Sequence, residues 1–333
     1  MPSSGAMPAR FPEPTSAWHD QRVLVTGASG FIGARLTARL SALGARVTAV
    51  RSGRGKRQPD AGPATRWREV DLLDAAAVQA LIIQEQPAVV FHLAGVVNLE
   101  RTPEVARACL TVNVLGTHNL LDALRAHPVA RLLYASTTEI YGNNTPPFRE
   151  DQVPQPPSPY AVSKLAWEHL CRVAWQADGV AVVSVRRASV YGPGQAPHRA
   201  TSSSIRAGLT GEWTDIWHAE QRRDWLYLED AIEGLLVLAR CDQAIGQMVN
   251  LGSTTLISQR ELVELVGRLL GVEMPVHLHQ QPRRAAEAPV WSTDGSRARE
   301  WCGWQPRYTF EQGLQETIRW HQAQLNLQQH AVR

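Results

Sequence analysis

The sequence of 333 residues lacks any apolar run that approaches the length of a membrane span. It also lacks an excess of charge, since 34 basic and 31 acidic residues leave a net charge of +3. So balanced a charge gives no reason to expect nucleic-acid or membrane partners. Residues 1–21, rich in Pro, Ala and Ser, contain no apolar stretch of the kind that a secretory signal needs. We therefore predict a flexible tail over residues 1–21 and a cytoplasmic globular protein.

Cysteine is scarce as well. Cys109, Cys171, Cys241 and Cys302 are far apart and form neither a C-x-x-C pair nor a cluster with histidine. Zinc sites and disulfide frameworks usually show closer, patterned spacing. We therefore expect four reduced thiols and no metal site.

Short apolar strands alternate with helical stretches along the first 190 residues. Strands are predicted at 88–95, 130–137 and 180–189, and helices at about 104–126 and 160–177. Because the strands are continuously apolar, the pattern favours an α/β fold with a doubly wound parallel sheet covered on both faces. A smaller C-terminal α/β lobe follows. We assign residues 22–188 and about 223–251 to a Rossmann-type dinucleotide-binding domain, and 189–222 and 252–325 to a substrate-binding lobe.

A glycine motif, "TGASGFIG", lies between the first predicted strand and the helix that follows it. Its three glycines are Gly27, Gly30 and Gly33. In dinucleotide-binding proteins such glycines permit a tight turn and a close approach of the backbone to the pyrophosphate at the helix N-terminus. An ordinary strand–helix turn is the alternative. The position between strand and helix favours cofactor binding.

The second strand ends in "VTAVRSGRGKR", where an NAD-type site usually has an acidic residue for the ribose hydroxyls. Arg51 stands at that place, and Ser52 follows it. A guanidinium and a hydroxyl would bind a 2′-phosphate, which a carboxylate would repel. Arg54, Lys56 and Arg57 extend the basic segment, which could also be a solvated loop. The sequence favours NADP over NAD.

A predicted helix opens with "SPYAVSK", in which Tyr160 and Lys164 are four residues apart and share a face. Ser158 suits the N-cap and Pro159 the first helical position. A nearby ammonium and an oxidised nicotinamide would both lower the pKa of the phenol. Tyr160 could then exchange the proton of a carbinol while hydride moves to or from the cofactor. Y-x-x-x-K by itself also occurs in ordinary amphipathic helices.

From Arg22 to about Trp320 the sequence resembles the extended short-chain dehydrogenase/reductases that modify nucleotide-diphosphate sugars. The segments that carry the resemblance occur in the family's order: "TGASGFIG", "HLAG", "NVLGT", "STTEIYG", "SPYAVSK", "VYGPG", "RRDWLYLED", "VNLGS" and "GWQP". The resemblance implies that Thr137 binds the reacting oxygen of the sugar, that Tyr160 is the acid/base, and that Lys164 holds the nicotinamide ribose. It also implies further cofactor contacts, from Ser29, Phe31, Ile32, Asp71, Leu72, Leu93, Ala94, Gly95, Asn113, Ser136 and Val190.

For the substrate, the resemblance implies that Arg223 grips the diphosphate and that Arg284 is a second diphosphate ligand. An arginine can donate two parallel hydrogen bonds to phosphate oxygens, although a surface ion pair is the alternative for either residue. Thr138 and Ser189 are the other predicted substrate contacts. Ser189 is a departure, because relatives usually have asparagine there.

Strand alternation places Thr137, Glu139 and Tyr141 on one side of the chain, which would bring Glu139 into the cleft. By resemblance, Thr-x-Glu is the pattern of the 4,6-dehydratases, in which the Glu removes the C5 proton after oxidation at C4. Some 4-epimerases and decarboxylases of the family also carry a Glu at this place. Thr138 between them, together with Arg51, resembles the GDP-mannose type. A structural glutamate bonded to backbone or arginine is the alternative.

Three functions remain open. The leading one is transient oxidation at C4 of a nucleotide sugar, giving epimerisation or 4,6-dehydration. The second is an NADPH-dependent 4-ketoreductase, which needs no Glu139, and the third is a non-catalytic NADP-binding regulator.

Further expectations concern the surface. Relatives often form homodimers through two helices, which here would lie at about 101–126 and 158–177. The second of these carries Trp167, Leu170 and Trp175 in a stripe that could equally be core. Trp213, Trp217 and Trp225 could stack on a base or sugar, but we expect each of them to be buried.

Overall fold

A seven-stranded, entirely parallel sheet forms the centre of the molecule. The computed structural model describes residues 17–53, 62–279 and 288–331. The strands are β1 Arg22–Thr26, β2 Arg46–Arg51, β3 Thr65–Glu69, β4 Val89–His92, β5 Arg131–Thr137, β6 Val182–Arg187 and β10 Met248–Leu251. From one edge to the other the strand order is β3-β2-β1-β4-β5-β6-β10.

Helices cover both faces of this sheet. A π-helical segment, Cys109–Leu115, joins α3 to α4. One apolar core includes Leu36 of α1 and Leu235 of α7, and the other includes Leu120 of α4 and Trp167 of α5. The predicted doubly wound α/β fold is therefore confirmed. The helices are α1 Phe31–Ala42, α2 Ala75–Glu85, α3 Pro103–Ala108, α4 Gly116–Ala126, α5 Pro159–Asp178, α6 Ala200–Thr210, α7 Leu228–Leu238, α8 Gln259–Leu270, α9 Ser296–Cys302 and α10 Phe310–Ala331.

Local signals set the bounds of α5, the helix that carries Tyr160 and Lys164. The Ser158 side chain accepts a hydrogen bond from the backbone N–H of Ala161, and Pro159 occupies the first turn. The helix ends at Gly179, whose φ of 68° lies in the left-handed region that glycine tolerates. The predicted cap and first turn of this helix agree with the structure.

The remaining strands form two smaller sheets. A four-stranded sheet contains β7 Ser189–Tyr191, β9 Arg222–Tyr227, β11 Leu256–Ser258 and β13 Val290–Trp291, and a two-stranded sheet pairs β8 Thr214–Trp217 with β12 Val276–His279. The sequence analysis assigned about 223–251 to the dinucleotide-binding part. In the structure the first of these residues lie in β9 of the four-stranded sheet, and Met248–Leu251 form β10 of the large sheet.

The folded part begins earlier than expected. Trp18 is buried and lies against Phe91, with their ring centroids 5.9 Å apart. Residues 17–21, which the sequence analysis assigned to the tail, therefore belong to the folded structure. The rest of that prediction, residues 1–16, lies outside the described residues.

The expectation of four reduced thiols was wrong for two of them. Cys241 and Cys302 form a disulfide bond across a sequence separation of 61, with a Cα–Cα distance of 5.5 Å. Spacing gave no hint of this pair, because the ends of α7 and α9 meet only in the fold. The cysteine argument for a reducing compartment is lost with it. Cys109 and Cys171 are free thiols, as expected, and both are buried.

Two of the three tryptophans expected in the interior are at the surface. Trp213 is 65% exposed and stacks on His277, and Trp217 is 42% exposed and stacks on His279. They lie beside or on β8, whose two-stranded sheet with β12 offers little area to cover an indole. Trp225 is buried, as expected. None of the helices in the described part is long and apolar enough to cross a membrane.

Candidate active site

One cavity of about 490 Å³ opens where β1, β4, β5 and β6 end. Because the strands are parallel, their carboxyl ends lie at one edge of the sheet, the place where ligands bind in folds of this type. The cavity brings together many residues that the sequence singled out. They are Gly27, Gly30, Phe31, Ile32, Gly33, Leu93, Gly95, Thr137, Thr138, Glu139, Tyr160, Ser189, Val190 and Arg223.

The glycine turn at the end of β1 is packed so closely that two of its positions exclude a side chain. Gly27 has a φ of +69°, and a Cβ there would lie 2.7 Å from the backbone nitrogen of Ala94. A Cβ on Gly33 would overlap the carbonyl group of Gly27. Gly30 is the N-cap of α1 and has no side chain to occupy the first-turn N–H groups. The turn and helix N-terminus thus form a cradle that fits a pyrophosphate.

The predicted adenosine side lies beside this cavity, at the ends of β2 and β3. Arg51 donates a hydrogen bond to Glu69 at 3.0 Å, and the exposed Ser52 follows it. Asp71 is exposed, and its carboxylate accepts a hydrogen bond from the N–H of Leu73. Leu72 is buried, and its carbonyl oxygen accepts from Asn119. Of the basic segment beyond Ser52, residues 54–61 lie outside the described residues.

Thr137, Tyr160 and Lys164 meet at the end of β5. Thr137 and Tyr160 both line the cavity and are buried, and the Thr137 hydroxyl acts to lower the pKa of Tyr160. Lys164, one helical turn further along α5, donates from Nζ to the carbonyl oxygen of Ala135 at 2.8 Å. This contact fixes the ammonium to the strand that carries Thr137. The three predicted catalytic groups therefore form one cluster.

Burial sets the protonation of this cluster. It raises the pKa of Tyr160, although the positive charges of Arg187 and Arg199 work in the opposite direction. Burial, reinforced by Arg187, lowers the pKa of Lys164 to about 7. The sequence analysis expected Lys164 and an oxidised nicotinamide together to lower the pKa of the phenol. In the protein alone, desolvation of Tyr160 outweighs the nearby cations and its pKa is raised.

The strand alternation used for Glu139 fails, because β5 ends at Thr137 and residues Thr138–Tyr141 form a 3₁₀ turn. The turn still brings Glu139 into the cavity, and it brings Thr138 there too. Tyr141 instead points into the interior, where its hydroxyl donates to Asn250. The Glu139 carboxylate lies 3.4 Å from the guanidinium of Arg223. Arg223 also donates to the side-chain oxygen of Gln221 at 2.9 Å.

Two predicted cofactor contacts have other roles in this structure. Asn113, in the π-helical segment, accepts from the N–H of Val96 and donates to the Val96 carbonyl oxygen and to Ser163. It therefore ties the loop after β4 to α5. Ser136 faces away from the cavity and donates to Glu168 at 2.5 Å. Ser29 and Ala94 adjoin the glycine turn, and Arg284 lies outside the described residues.

The sequence analysis missed several residues that line the cavity. Arg187 is the most notable, because β5 and β6 are in register with Thr137 opposite Arg187. That pairing was not available from sequence, since it requires the register of two strands 50 residues apart. The cavity also includes Gln195, Arg199 and Gln259, which the sequence analysis did not name, and Trp225, which it named as a possible stacking residue. Within the described ranges, no group of three or more His, Cys, Asp or Glu side chains could hold a metal ion.

Comparison with known proteins gives a consistent picture. Residues 23–252 match the model of the NAD dependent epimerase/dehydratase family. A dTDP-glucose 4,6-dehydratase of Xanthomonas campestris pv. campestris is 32% identical over 273 residues, which is 75% of this chain and 77% of that protein. A UDP-glucose 4-epimerase of Mycolicibacterium smegmatis is 32% identical and covers 89% and 97% respectively. The structure of MoeE5 in complex with UDP-glucose and NAD superimposes with a TM-score of 0.82 and 31% identity, covering 91% of this chain and 99% of that chain.

Proposed function

Because the chain belongs to the NAD-dependent epimerase/dehydratase family, we propose that it oxidises C4 of a nucleotide-diphosphate sugar transiently and reduces it again in the same cavity. The observation that carries this proposal is the cluster of Thr137, Tyr160 and Lys164, which lies at the cavity that the glycine turn also lines. The cluster retains every group that the reaction needs. A non-catalytic regulator would have no use for it.

The cavity fits a dinucleotide at its glycine-lined end. The cradle of Gly27, Gly30 and Gly33 would hold the pyrophosphate, with Leu93, Gly95 and Val190 lining the continuation of the cavity. A bound nicotinamide cofactor supplies the hydride acceptor and donor. The remaining chemistry belongs to the side chains around it.

Tyr160 moves the proton and Thr137 orients the sugar. The Thr137 hydroxyl lines the same cavity as the Tyr160 hydroxyl, and both would bind the C4 oxygen. Because its pKa is raised, Tyr160 is protonated in the free protein and is ready to donate to a C4 ketone. Acting as base on a C4 hydroxyl requires added positive charge, and an oxidised nicotinamide carries such charge.

Glu139 decides between two outcomes after oxidation. As a free base it would remove the C5 proton and lead to 4,6-dehydration, with Thr138 between it and Thr137. The ion pair with Arg223 favours instead a structural carboxylate, which is compatible with 4-epimerisation or with the NADPH-dependent 4-ketoreductase. Replacement of Glu139 by Gln tests this: dehydratase activity should be lost, whereas reduction of a 4-keto-6-deoxy sugar nucleotide should continue.

We infer a preference for NADP from the end of β2. Arg51 ends this strand where an NAD-type site has a carboxylate, and it donates a hydrogen bond to Glu69 of the neighbouring strand. Loss of the guanidinium in Arg51→Leu should weaken NADP binding about 10- to 100-fold and leave NAD binding nearly unchanged. Glu69→Gln is the matched control, because it removes the negative charge beside Arg51 and keeps the guanidinium. Equal losses for both cofactors in Arg51→Leu would refute the inference.

We also propose that each of the two parts of the chain binds one of the two ligands. The large sheet would hold the cofactor, and residues 189–222 and 252–325 would hold the nucleotide sugar, with Arg223 on β9 as a ligand of its diphosphate. Arg223 lies at the cavity edge, and its guanidinium is 5.2 Å from the ring centre of Trp291. Arg223→Lys, which loses the planar fork, should raise KM more than it lowers kcat.

A homodimer is a further proposal. The predicted stripe of Trp167, Leu170 and Trp175 packs into the core, but other apolar side chains of the same helices are exposed. These are Leu110, Leu115, Val162 and Val173, each 45–53% exposed. The π-helical segment packs against α5, so the four lie on adjoining elements. Light scattering should give twice the chain mass, and Val173→Glu but not Val272→Glu should halve it.

The experiment that tests the main proposal is release of nucleotide from freshly purified, denatured protein, identified by mass spectrometry. Near-stoichiometric NAD or NADP supports a self-recycling reaction, since the cofactor returns to its starting state every turnover. An empty protein that binds NADPH reversibly would favour the ketoreductase. The identity of the nucleotide also tests the inference about Arg51.

A further inference from the structure

Arg187, the last residue of β6, occupies a special place in the cavity. It is the register partner of Thr137 on the adjacent parallel strand. Paired residues of neighbouring strands lie about 4.8 Å apart and project to the same face of the sheet. Arg186, one residue earlier, projects to the opposite face and pairs with Glu168. The Arg187 side chain therefore lines the same wall of the cavity as the catalytic cluster.

The guanidinium of Arg187 has no counter-charge among the described residues. Its Nε is buried without a hydrogen-bond partner, and no carboxylate of the described part lies within ion-pair distance of it. Arg223, on the other side of the cavity, differs because it contacts both Glu139 and Gln221. A buried, charged donor without an acceptor is costly, so the site of Arg187 is suited to an anionic ligand.

The backbone at Arg187 is fixed. Its carbonyl oxygen accepts a hydrogen bond from the Thr138 hydroxyl at 3.3 Å, and its strand is held by β5 on one side and β10 on the other. Its charge also acts on both Lys164 and Tyr160, whose pKa values it lowers. The guanidinium thus stands beside the groups that would handle the C4 oxygen.

We propose that Arg187 selects a sugar that bears a carboxylate on C5, so that the substrate is a nucleotide-diphosphate hexuronic acid. The proposal rests on the function proposed above, because Thr137 and Tyr160 mark where C4 lies. A C5 carboxylate is attached to the carbon next to C4, whereas the diphosphate is attached at C1, across the ring. A planar guanidinium binds a carboxylate through two parallel hydrogen bonds.

This assignment also bears on the reaction. A hexuronic acid has no hydroxyl on C6, so the elimination of water that defines a 4,6-dehydratase has no leaving group. A hexuronic acid oxidised at C4 is a β-keto acid, so two routes remain. One is reduction from the other face, which is 4-epimerisation, and the other is loss of the C6 carboxylate as CO2, with a proton taken up at C5. The ion pair between Glu139 and Arg223 is consistent with both, because neither route needs a base that removes the C5 proton.

Paired substrates test the proposal on the cofactor-loaded enzyme. Isothermal titration would compare UDP-glucose with UDP-glucuronic acid, and dTDP-glucose with dTDP-glucuronic acid. We expect the glucuronate to bind about 10- to 100-fold more tightly than the glucose of the same nucleotide. Arg187→Met should remove this preference while changing glucose binding little, and Arg187→Lys should retain part of it. Arg199→Met, which removes another guanidinium from the cavity lining, should leave the preference intact.

Several results would overturn the proposal. These are equal affinities for glucose and glucuronate, an equal loss for both sugars in Arg187→Met, and failure of both glucuronates to bind. If the enzyme still converts a neutral hexose nucleotide in that case, the function proposed above stands and only the assignment of Arg187 fails. If it binds and converts no nucleotide sugar at all, both fail.

Discussion

The ion pair between Glu168 and Arg186, on the face of β6 opposite Arg187, allows a quantitative prediction. Both side chains are only 2% exposed. The Glu168 carboxylate accepts three hydrogen bonds from Arg186, at 3.0, 3.1 and 2.7 Å, and a fourth from Ser136 at 2.5 Å. Arg186 also donates to the Tyr141 hydroxyl at 2.9 Å.

Replacing Glu168 by Gln keeps the volume but removes the charge that balances the buried guanidinium. Removal of one partner of a buried ion pair destabilises a protein by about 3–5 kcal/mol. Urea unfolding has a slope of about 1–3 kcal/mol per molar. The unfolding midpoint of Glu168→Gln should therefore fall by at least about 1 M relative to the wild type.

The matched control removes both charges. Glu168→Leu combined with Arg186→Met leaves no uncompensated ion, so this variant should be more stable than Glu168→Gln. Urea titration followed by far-UV circular dichroism measures all three proteins. A midpoint shift below about 0.3 M for Glu168→Gln, or a double variant no more stable than the single one, would refute the reasoning.

Three further predictions follow from the cavity and the core. Gly33→Ala should abolish cofactor binding, because its Cβ would overlap the Gly27 carbonyl. Gly30→Ala should weaken binding less, since its Cβ would stay 3.2 Å from the Gly27 oxygen. Fluorescence titration with NADPH compares the cofactor affinities of the two variants. Burial, with Lys164 nearby, lowers the pKa of His92 to about 3. In the unfolded chain His92 takes up a proton below about pH 6.5, whereas in the folded protein it stays neutral until about pH 3. The free energy of unfolding should therefore decline between these pH values by up to about 1.4 kcal/mol per pH unit. His92→Asn should show a shallower decline. Tyr160→Phe should lower kcat about 10²- to 10⁴-fold without loss of cofactor affinity; a smaller effect on turnover would remove Tyr160 from the proton transfer.

Much of the large sheet could be predicted because its signals are local. The glycine turn, the Ser158 cap and the continuously apolar strands depend on residues close together in sequence. The same holds for Tyr160 and Lys164, whose spacing along one helix is enough to place them on one face. These predictions needed no knowledge of tertiary structure.

The rest depends on pairings between distant segments. Arg187 became visible only with the register of β5 and β6, and the bond between Cys241 and Cys302 only with the approach of α7 to α9. Asn113 matched a cofactor-binding motif, but its hydrogen bonds are taken up by Val96 and Ser163. The motif therefore identified Asn113 correctly as a residue with a role, but it did not predict which groups Asn113 binds.

The position of β10 at the edge of the large sheet has a consequence for synthesis of the chain. All three proposed catalytic groups lie before residue 165, yet the outer edge of β6 is paired only when Met248–Leu251 are present. Until then the N–H and C=O groups of that edge are open to pairing with other chains. A fragment that ends between β7 and β10 would contain the proposed catalytic cluster, and we expect it to be prone to aggregate. The cluster is therefore encoded early in the chain, whereas the strand that closes its sheet is encoded more than 80 residues later.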